Sequence, residues 1–280
     1  MQELVLTLSC PDRPGIVHAV SGFLAARDCN IRDSQQYGSP RTTTFFLRVH
    51  FASPVEPGNL AREFGDIASA FTMSWQLHRS GDRPNVLVLV SREGHCLNDL
   101  LYRWRSGYLP CEIAAVASNH PDLAPLPRSY DVPFHHLPVT TDTRAAQEQQ
   151  VLTLVDELDI SLVVLARYMQ VLSPQLCEAL AGRVINIHHS FLPSFRGGRP
   201  YEQAYVHGVK LIGATAHYVT ADLDEGPIIE QEVARVGHAH EPEDLAATGR
   251  DLECVALARA VRWHLEHRVL LDGQRTVVFP

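Results

Sequence analysis

The sequence predicts an α/β protein with two domains: a small ferredoxin-like βαββαβ domain, then a doubly wound, mostly parallel α/β domain. Residues 3–78 show strand and helix patterns in the order β-α-β-β-α-β, the split βαβ arrangement. From residue 85 onward, continuous apolar strands alternate with helical stretches, as expected for a parallel sheet covered on both faces. A polar stretch with Gly and Pro interrupts both patterns. We therefore expect domains at residues 1–80 and 85–280, joined by a linker at 81–84.

The elements of the first domain follow from alternation and helical spacing. Alternating apolar residues predict the first strand, and Asp12 stands where a helix cap is expected, ahead of Pro14. The strands are predicted at residues 3–9, from 30, at 42–51 and at 73–78, and the helices at about 16–26 and 57–70.

The second domain is predicted from buried-strand runs and from helices with good helix-forming residues. Its strands are expected at residues 85–90, 111–117, 161–165, 184–187, 211–219 and 228–236, and its helices at 96–104, 143–157, 175–180 and 242–267. Residues 120–131, rich in proline, are expected to form a loop, and residues 269–279 a short hairpin.

Composition narrows the class of protein. The net charge of −8 argues against a nucleic-acid-binding surface, which needs clustered Lys and Arg. No apolar run is long enough to span a membrane and no export signal opens the chain, so we expect a cytoplasmic protein without membrane partners. The six cysteines are scattered, which favours neither a disulfide framework nor a zinc site.

Polar side chains follow the predicted strand at 184–187. On an extended chain Asn186 and His188 point to one side, and Ile187 and His189 to the other. An amide donor, an imidazole and the carboxylate of Asp224 would make an acid/base set for attack on a carbonyl group. The spacing alone fits equally well a structure without a site, in which His188 and His189 are ordinary loop histidines and Asp224 is a turn residue. His217 could either contact the side chains of this set and support them or pack in the core. Adjacent histidines diverge on a strand, so we expect no metal.

The segments 12–17 and 30–31 resemble those of the ACT domain. The resemblance implies a small amino-acid effector bound at an interface between modules, and hence a homo-oligomer, a dimer or a tetramer. The alternative is a turn and an oligomerisation surface without a ligand. The implied effector contacts are Asp12, Arg13, Gly15, Ile16, Asn30 and Ile31.

Four segments of the second domain resemble folate-dependent formyltransferases: residues 165–173, 186–193, 213–220 and 222–228. The resemblance implies a folate substrate, 10-formyltetrahydrofolate, with no metal or other cofactor, and Asn186, His188 and Asp224 as the catalytic set. The implied substrate contacts are Leu165, Met169, Gln170, Leu172, Thr220, Ala221, Asp222 and Leu223. Related transferases often have Arg at the position of Gln170, so contacts to the folate glutamate tail stay open.

An ACT domain ahead of such a fold resembles the formyltetrahydrofolate deformylases. That implies hydrolysis to tetrahydrofolate and formate, with a place in one-carbon metabolism and purine biosynthesis. The loop at 91–96 supports water as the acceptor, because Glu93 would repel a phosphorylated co-substrate. Transfer to a small amine and a non-catalytic sensor are the alternatives. The loop at 195–200 is either a lid or a solvated connection.

Overall fold

The computed structural model describes residues 1–193 and 200–280, without the side chain of Pro200. These residues form two compact units, one of Met1–Asp82 with Glu266–Pro280 and one of Arg83–Leu265. The division expected from the sequence, 1–80 and 85–280, differs at the C-terminal end, because the structure groups Glu266–Pro280 with the first unit. Among the described residues, no helix combines the length and apolar character that crossing a bilayer requires.

The first unit is an antiparallel sheet in the order β2-β3-β1-β4 with two helices. Its elements are β1 (Gln2–Pro11), α1 (Ile16–Ala25), β2 (Asn30–Ser39), β3 (Thr44–Ser53), α2 (Pro57–Phe71), β4 (Ser74–Arg79), β12 (Val269–Asp272) and β13 (Arg275–Val278). The core between sheet and helices is aliphatic and aromatic, with Phe64 edge-on to both Phe23 and Trp75. The predicted βαββαβ fold is confirmed.

The C-terminal segment is tied to polar groups of this same sheet. Arg48 is 4% exposed and donates to the backbone oxygen of Glu266. Ser39 and Thr42 both donate to the carboxylate of Asp272, at 2.8 and 2.7 Å. A buried arginine in a strand is costly unless it is paired, and Arg48 is tolerated there because its guanidinium also lies 3.2 Å from the carboxylate of Asp33.

The second unit is built on a seven-stranded sheet in the order β11-β10-β9-β8-β5-β6-β7. Strands β5 to β9 run parallel, whereas β10 is antiparallel to β9 and β11, so the predicted mostly parallel sheet is confirmed. The elements are β5 (Asn85–Val90), α3 (His95–Arg105), β6 (Glu112–Ser118), α4 (Pro125–Arg128), β7 (Phe134–His136), α5 (Arg144–Glu157), β8 (Ile160–Leu165), α6 (Pro174–Ala179), β9 (Val184–His188), α7 (Pro200–Val206), β10 (Leu211–Tyr218), β11 (Ile228–Arg235) and α8 (Pro242–Leu265).

The strand order reverses between β5 and β8, and this reversal positions the site. The residues of β5 from Val86 to Val90 are all buried, as the continuous apolar run predicted. In open α/β sheets, ligands bind outside the carboxyl ends of the strands where the order reverses. The chain that leaves β8 and β9 at those ends carries the polar residues singled out from the sequence.

Three local predictions were wrong. Asp12 does not cap α1, because Gly15 in the left-handed conformation, φ 97°, precedes its first residue. The stretch at 120–131 contains α4, whose prolines stand at helix-start positions that need no N–H donor. Helix α8 ends at Leu265 because His267 adopts a left-handed φ of 53°.

Because His264 of α8 is buried, we expect the protein to lose stability as the pH falls. The Tyr218 hydroxyl lies 2.7 Å from its Nδ1, and burial lowers the pKa of His264 to about 4. Its ordinary pKa is 6.5, so the unfolded chain takes up the proton first as the pH falls. Stability is therefore lost between about pH 6.5 and 4, by about 2 kcal/mol at pH 5. Urea unfolding at pH 7 and at pH 5 measures this difference in the free energy of unfolding.

The matched variants are His264→Asn, which keeps an acceptor near the Tyr218 hydroxyl without titrating, and His18→Asn on the exposed face of α1. His264→Asn should lose less free energy of unfolding than the wild type on going from pH 7 to pH 5, and His18→Asn should match the wild type. Equal losses in all three proteins would contradict the assignment.

Candidate active site

Two neighbouring strands place the polar side chains of the site. In the antiparallel pair β9–β10, Asn186 stands opposite His217 and His188 opposite Thr215, so all four project from one face. Thr215 donates to the Ser190 backbone oxygen and accepts from the backbone N–H of Leu192. The chain directly after His188 is therefore fixed to the neighbouring strand.

His188 contacts the carboxylate of Asp224. The Nδ1 of His188 lies 3.3 Å from Oδ1 of Asp224, and their side chains are only 6% and 16% exposed. The hydrogen bond from His188 lowers the pKa of Asp224 against the opposing effect of burial, so the carboxylate is ionised at neutral pH. An ionised carboxylate only accepts hydrogen bonds, so Nδ1 of His188 carries a proton. The Nε2 of His188 is buried without a hydrogen-bond partner among the described residues.

His217 fixes the orientation of the Asn186 amide. Its Nδ1 lies 2.9 Å from the Tyr218 backbone oxygen, which can only accept, so Nδ1 carries the proton. Burial lowers the pKa of His217, so Nε2 is a free acceptor, 3.2 Å from Nδ2 of Asn186. One N–H of the amide is thus used, and the second stays available as a donor. The Nε2 of His217 also lies 3.8 Å from Asp224, which joins the four side chains into one cluster.

A left-handed turn brings Asp224 to this cluster. Asp224 has a φ of 57°, which is uncommon for a residue other than glycine. The following Gly226 packs directly on β10, where a Cβ atom would lie 1.7 Å from the backbone oxygen of Tyr218. Only glycine allows so close an approach, and it ties the loop carrying Asp224 to the strand carrying His217.

A cavity of about 830 Å³, including space open to solvent, adjoins the cluster. Asn186, His217 and Asp224 line it, whereas His188 stands behind Asp224. All eight predicted substrate contacts line it as well: Leu165, Met169, Gln170, Leu172, Thr220, Ala221, Asp222 and Leu223. Met169 and Leu223 are 59% and 61% exposed, and large apolar side chains left open in this way suit a flat aromatic ligand.

The cavity also contains residues that the sequence analysis did not single out. Arg167, Tyr168, Val171 and His189 are among them. Burial, together with the nearby Arg167 and His188, lowers the pKa of His189 to about 4, so its ring is neutral at physiological pH. His189 follows a strand whose alternation directed it away from Asn186, and alternation ends where the strand does. That is why the pattern could not place it.

The predicted effector residues lie together only in part. Asp12, Arg13 and Gly15 form the turn after β1, and the Arg13 guanidinium stacks on Phe71 at 4.2 Å while donating to the backbone of Ala70. Asn30 and Ile31 open the exposed strand β2. Ile16 is 2% exposed and belongs to the hydrophobic core. The side chain of Ile16 therefore packs in the core and is not exposed to a ligand. The effector role of the whole set remains a prediction.

The loop after β5 offers little room for an anion. A Cβ on Gly94 would lie 3.0 Å from the Leu123 side chain, and the backbone N–H of Ser91 already donates to the Arg167 backbone oxygen. Glu93 stands in the same loop. The segment 195–200, predicted as a lid or a solvated connection, lies outside the described residues apart from the backbone of Pro200.

Two family models match the chain: the formyl transferase family over residues 84–261 and the ACT domain over residues 4–68. The formyltetrahydrofolate deformylase of Corynebacterium sp. (strain P-1) is 53% identical over 277 residues, 98% of this chain and 97% of that protein. That of Escherichia coli (strain K12) is 40% identical, with 99% of each chain covered.

Solved structures are similar over the same extent. A formyltetrahydrofolate deformylase from Burkholderia mallei matches all of both chains with a TM-score of 0.96 and 52% identity. A glycinamide ribonucleotide transformylase from Symbiobacterium toebii matches 73% of this chain and 98% of its own, with a TM-score of 0.68 and 32% identity. Since the deformylases match both units and the transformylase only part of the chain, this chain belongs to the formyltetrahydrofolate deformylase family.

Proposed function

We propose that the protein hydrolyses 10-formyltetrahydrofolate to tetrahydrofolate and formate. The observation that carries this proposal is the cluster of Asn186, His188, His217 and Asp224 at the wall of the cavity. It holds an ionised carboxylate and the free N–H of Asn186 within reach of one group, as hydrolysis of an amide-like bond requires. The names of the relatives agree with this reaction.

The chemistry follows from the groups present. The formyl nitrogen N10 makes the C–N bond amide-like, so attack by water on the formyl carbon places negative charge on the formyl oxygen. Asp224 orients the water and accepts its proton, the free N–H of Asn186 stabilises the oxyanion, and the Nδ1–H of His188 holds the Asp224 carboxylate in position. When the C–N bond breaks, N10 takes a proton through Asp224 and the formyl group leaves as formate.

The cavity residues supply the folate contacts in this proposal. Met169 and Leu223 cover the faces of the pterin ring, and the backbone of the loop at 220–224 offers hydrogen-bonding groups to its edge. Leu165 and Leu172 close the inner wall. Gln170 stands at the rim, and a neutral amide there implies weaker recognition of the glutamate tail than a guanidinium would give.

We further propose that the first unit binds a small amino acid and that the protein acts as a homo-oligomer in the cytoplasm, with no metal in the reaction. The match to the ACT domain supports the effector. Formyl transfer to an amine is the second candidate, and the similarity to the transformylase of Symbiobacterium toebii favours it. Glu93 and the narrow surroundings of Gly94 count against it.

The direct test is purified protein with 10-formyltetrahydrofolate and no added amine. We expect formate and tetrahydrofolate in equal amounts at enzymatic rates. Turnover that begins only when an amine is added would establish the transferase instead. Folate binding without any turnover would indicate a non-catalytic sensor.

Asp224→Asn removes the carboxylate while keeping its shape. We expect kcat to fall by about 10³-fold or more, since both water activation and the partner of His188 are lost. Binding of tetrahydrofolate, followed by fluorescence, should change little. Asp251→Asn makes the same change at an exposed position of α8, away from the cavity, and should keep most of kcat. A near wild-type rate in Asp224→Asn would remove Asp224 from the mechanism.

His217→Leu removes the acceptor that orients Asn186. We expect kcat to fall by about 10²-fold with KM nearly unchanged, because the amide can then turn its oxygen toward the formyl group. His217→Gln offers a replacement acceptor and should recover part of the loss. If Leu and Gln reduce kcat equally, or if only KM changes, His217 has a purely structural role.

A further inference from the structure

The chain between β8 and α6 is held at most of its residues although it forms no helix or strand. Residues 167–172 of this stretch all line the cavity of the proposed active site. The side chains of Met169 and Val171 are 59% and 50% exposed, so burial contributes little to their placement. Other contacts must therefore determine the conformation of this stretch. We call residues 167–173 the cavity segment.

The start of the cavity segment is held by Ser91, the residue that follows β5. The backbone N–H of Ser91 donates to the backbone oxygen of Arg167 at 3.2 Å. The hydroxyl of Ser91 donates to Oδ1 of Asn119 at 2.7 Å, and the same oxygen accepts the backbone N–H of Met169 at 3.0 Å. Since Ser91 is only 3% exposed, this end of the segment is fixed from inside the unit.

The rest of the cavity segment is held by the beginning of α5. Nε2 of Gln147 donates to the Tyr168 hydroxyl at 2.9 Å, and Oε1 of Glu148 accepts the backbone N–H of Ser173 at 2.8 Å. The Ser173 hydroxyl in turn caps α6 by accepting the backbone N–H of Leu176 at 3.2 Å. The far end of the segment is thereby tied to two helices.

Gln147 and Glu148 occupy positions where the helix pattern favours apolar residues. The buried stripe of α5 consists of Gln147, Glu148, Val151, Leu154 and Val155, the spacing of a helix face that packs on a core. The two polar residues are 5% and 9% exposed. Burying an amide and a carboxylate costs free energy that apolar residues at the same positions would not cost. A role in placing the cavity segment explains why polar residues stand there.

Arg144 supports the same arrangement from the exposed side of α5. Its guanidinium donates to the backbone oxygen of Val171, and its Nε lies 3.9 Å from the Glu148 carboxylate, one helical turn later. The arginine side chain is 46% exposed, so the attraction between the two charges is weak. The hydrogen bond from Ser173 is therefore the main interaction that joins Glu148 to the segment.

We propose that Gln147 and Glu148 are positioning residues for the folate substrate. This rests on the proposed function, in which the cavity segment is part of the surface that contacts the folate. Neither residue lines the cavity, so both act through others, Gln147 through Tyr168 and Glu148 through Ser173. They hold the segment in its binding conformation before the ligand arrives. A segment that is already ordered loses less conformational entropy on binding, which increases affinity without a new contact.

The test measures KM and kcat with 10-formyltetrahydrofolate, the Kd of tetrahydrofolate by fluorescence, and stability by urea unfolding. Glu148→Ala removes the acceptor of the Ser173 N–H, whereas Glu148→Gln keeps an acceptor oxygen on a side chain of the same shape. Glu157→Ala makes the same change at the exposed last residue of α5 and is the matched control.

We expect Glu148→Ala to raise KM and Kd alike by about tenfold, which corresponds to ~1.4 kcal/mol of lost binding. Its kcat should stay within about twofold of wild type, because binding of the ground state and of the transition state is weakened equally. Glu148→Gln should recover most of the loss, and Glu157→Ala should match the wild type. Unchanged KM and Kd in Glu148→Ala, whatever its stability, overturn the proposal, and so do equal effects of alanine and glutamine at position 148.

A double-variant cycle tests Gln147 and decides the question if Glu148→Ala fails to fold. Gln147→Leu removes the donor to the Tyr168 hydroxyl, and Tyr168→Phe removes that hydroxyl. Gln147→Leu should raise Kd by about threefold in the wild-type background and have no further effect on Kd in Tyr168→Phe. Equal effects in both backgrounds, or none in either, contradict the positioning role. Because Kd is measured without turnover, a failure of the proposed hydrolysis shows separately, in the release of formate by the wild type.

Discussion

The contact between His188 and Asp224 is the interaction on which the site depends. It joins the end of β9 to a loop that follows β10, and it exists only because that loop is held tightly against the sheet. Gly226 allows the loop backbone to pack on the Tyr218 carbonyl, and the left-handed Asp224 turns its carboxylate back toward His188. The geometry of the His188–Asp224 contact is thus produced by backbone packing two residues away from Asp224.

The half-buried Asp224 and the buried Glu253 are two carboxylates with different surroundings. Asp224 lines the cavity and contacts imidazole rings, so it can exchange a proton with a ligand. Glu253 is enclosed by a guanidinium, a hydroxyl and an imidazole, and it has no access to the substrate cavity of its own. Both are held ionised by their partners.

Two histidines that line the same cavity as Asp224, His189 and His217, are neutral. Burial lowers the pKa of both His189 and His217, so both rings are neutral at physiological pH. His217 is useful because it cannot easily become charged. A neutral ring with its proton fixed on Nδ1 accepts from Asn186, whereas a charged ring would donate and reverse the amide.

Much of the fold and of the site could be read from the sequence, because the patterns that carry them are local. The apolar run of β5 and the polar residues that follow β8 and β9 are continuous in the chain, so their placement at one sheet edge follows from alternation and strand order. Asp224 follows the antiparallel strand β10 and reaches His188 only through its loop. The role of His217 stayed open in the sequence, because only the strand register shows that it faces Asn186.

The features that escaped prediction depend on contacts between distant parts of the chain. Arg167 lies in the loop after β8, Tyr201 on α7 and Glu253 on α8, and nothing in the spacing of these residues marks them as partners. The grouping of Glu266–Pro280 with the first unit rests on single hydrogen bonds such as those of Asp272 to Ser39 and Thr42. Helix α4 was hidden by its prolines, which usually indicate a loop.

The proposed hydrolysis requires that water attacks the formyl carbon. The most direct measurement is the isotopic composition of formate released from 10-formyltetrahydrofolate in water enriched in oxygen-18. Attack by water places one oxygen-18 atom in each formate molecule formed during the reaction. Formate without the label, or a formyl group found on an amine in place of formate, would contradict it.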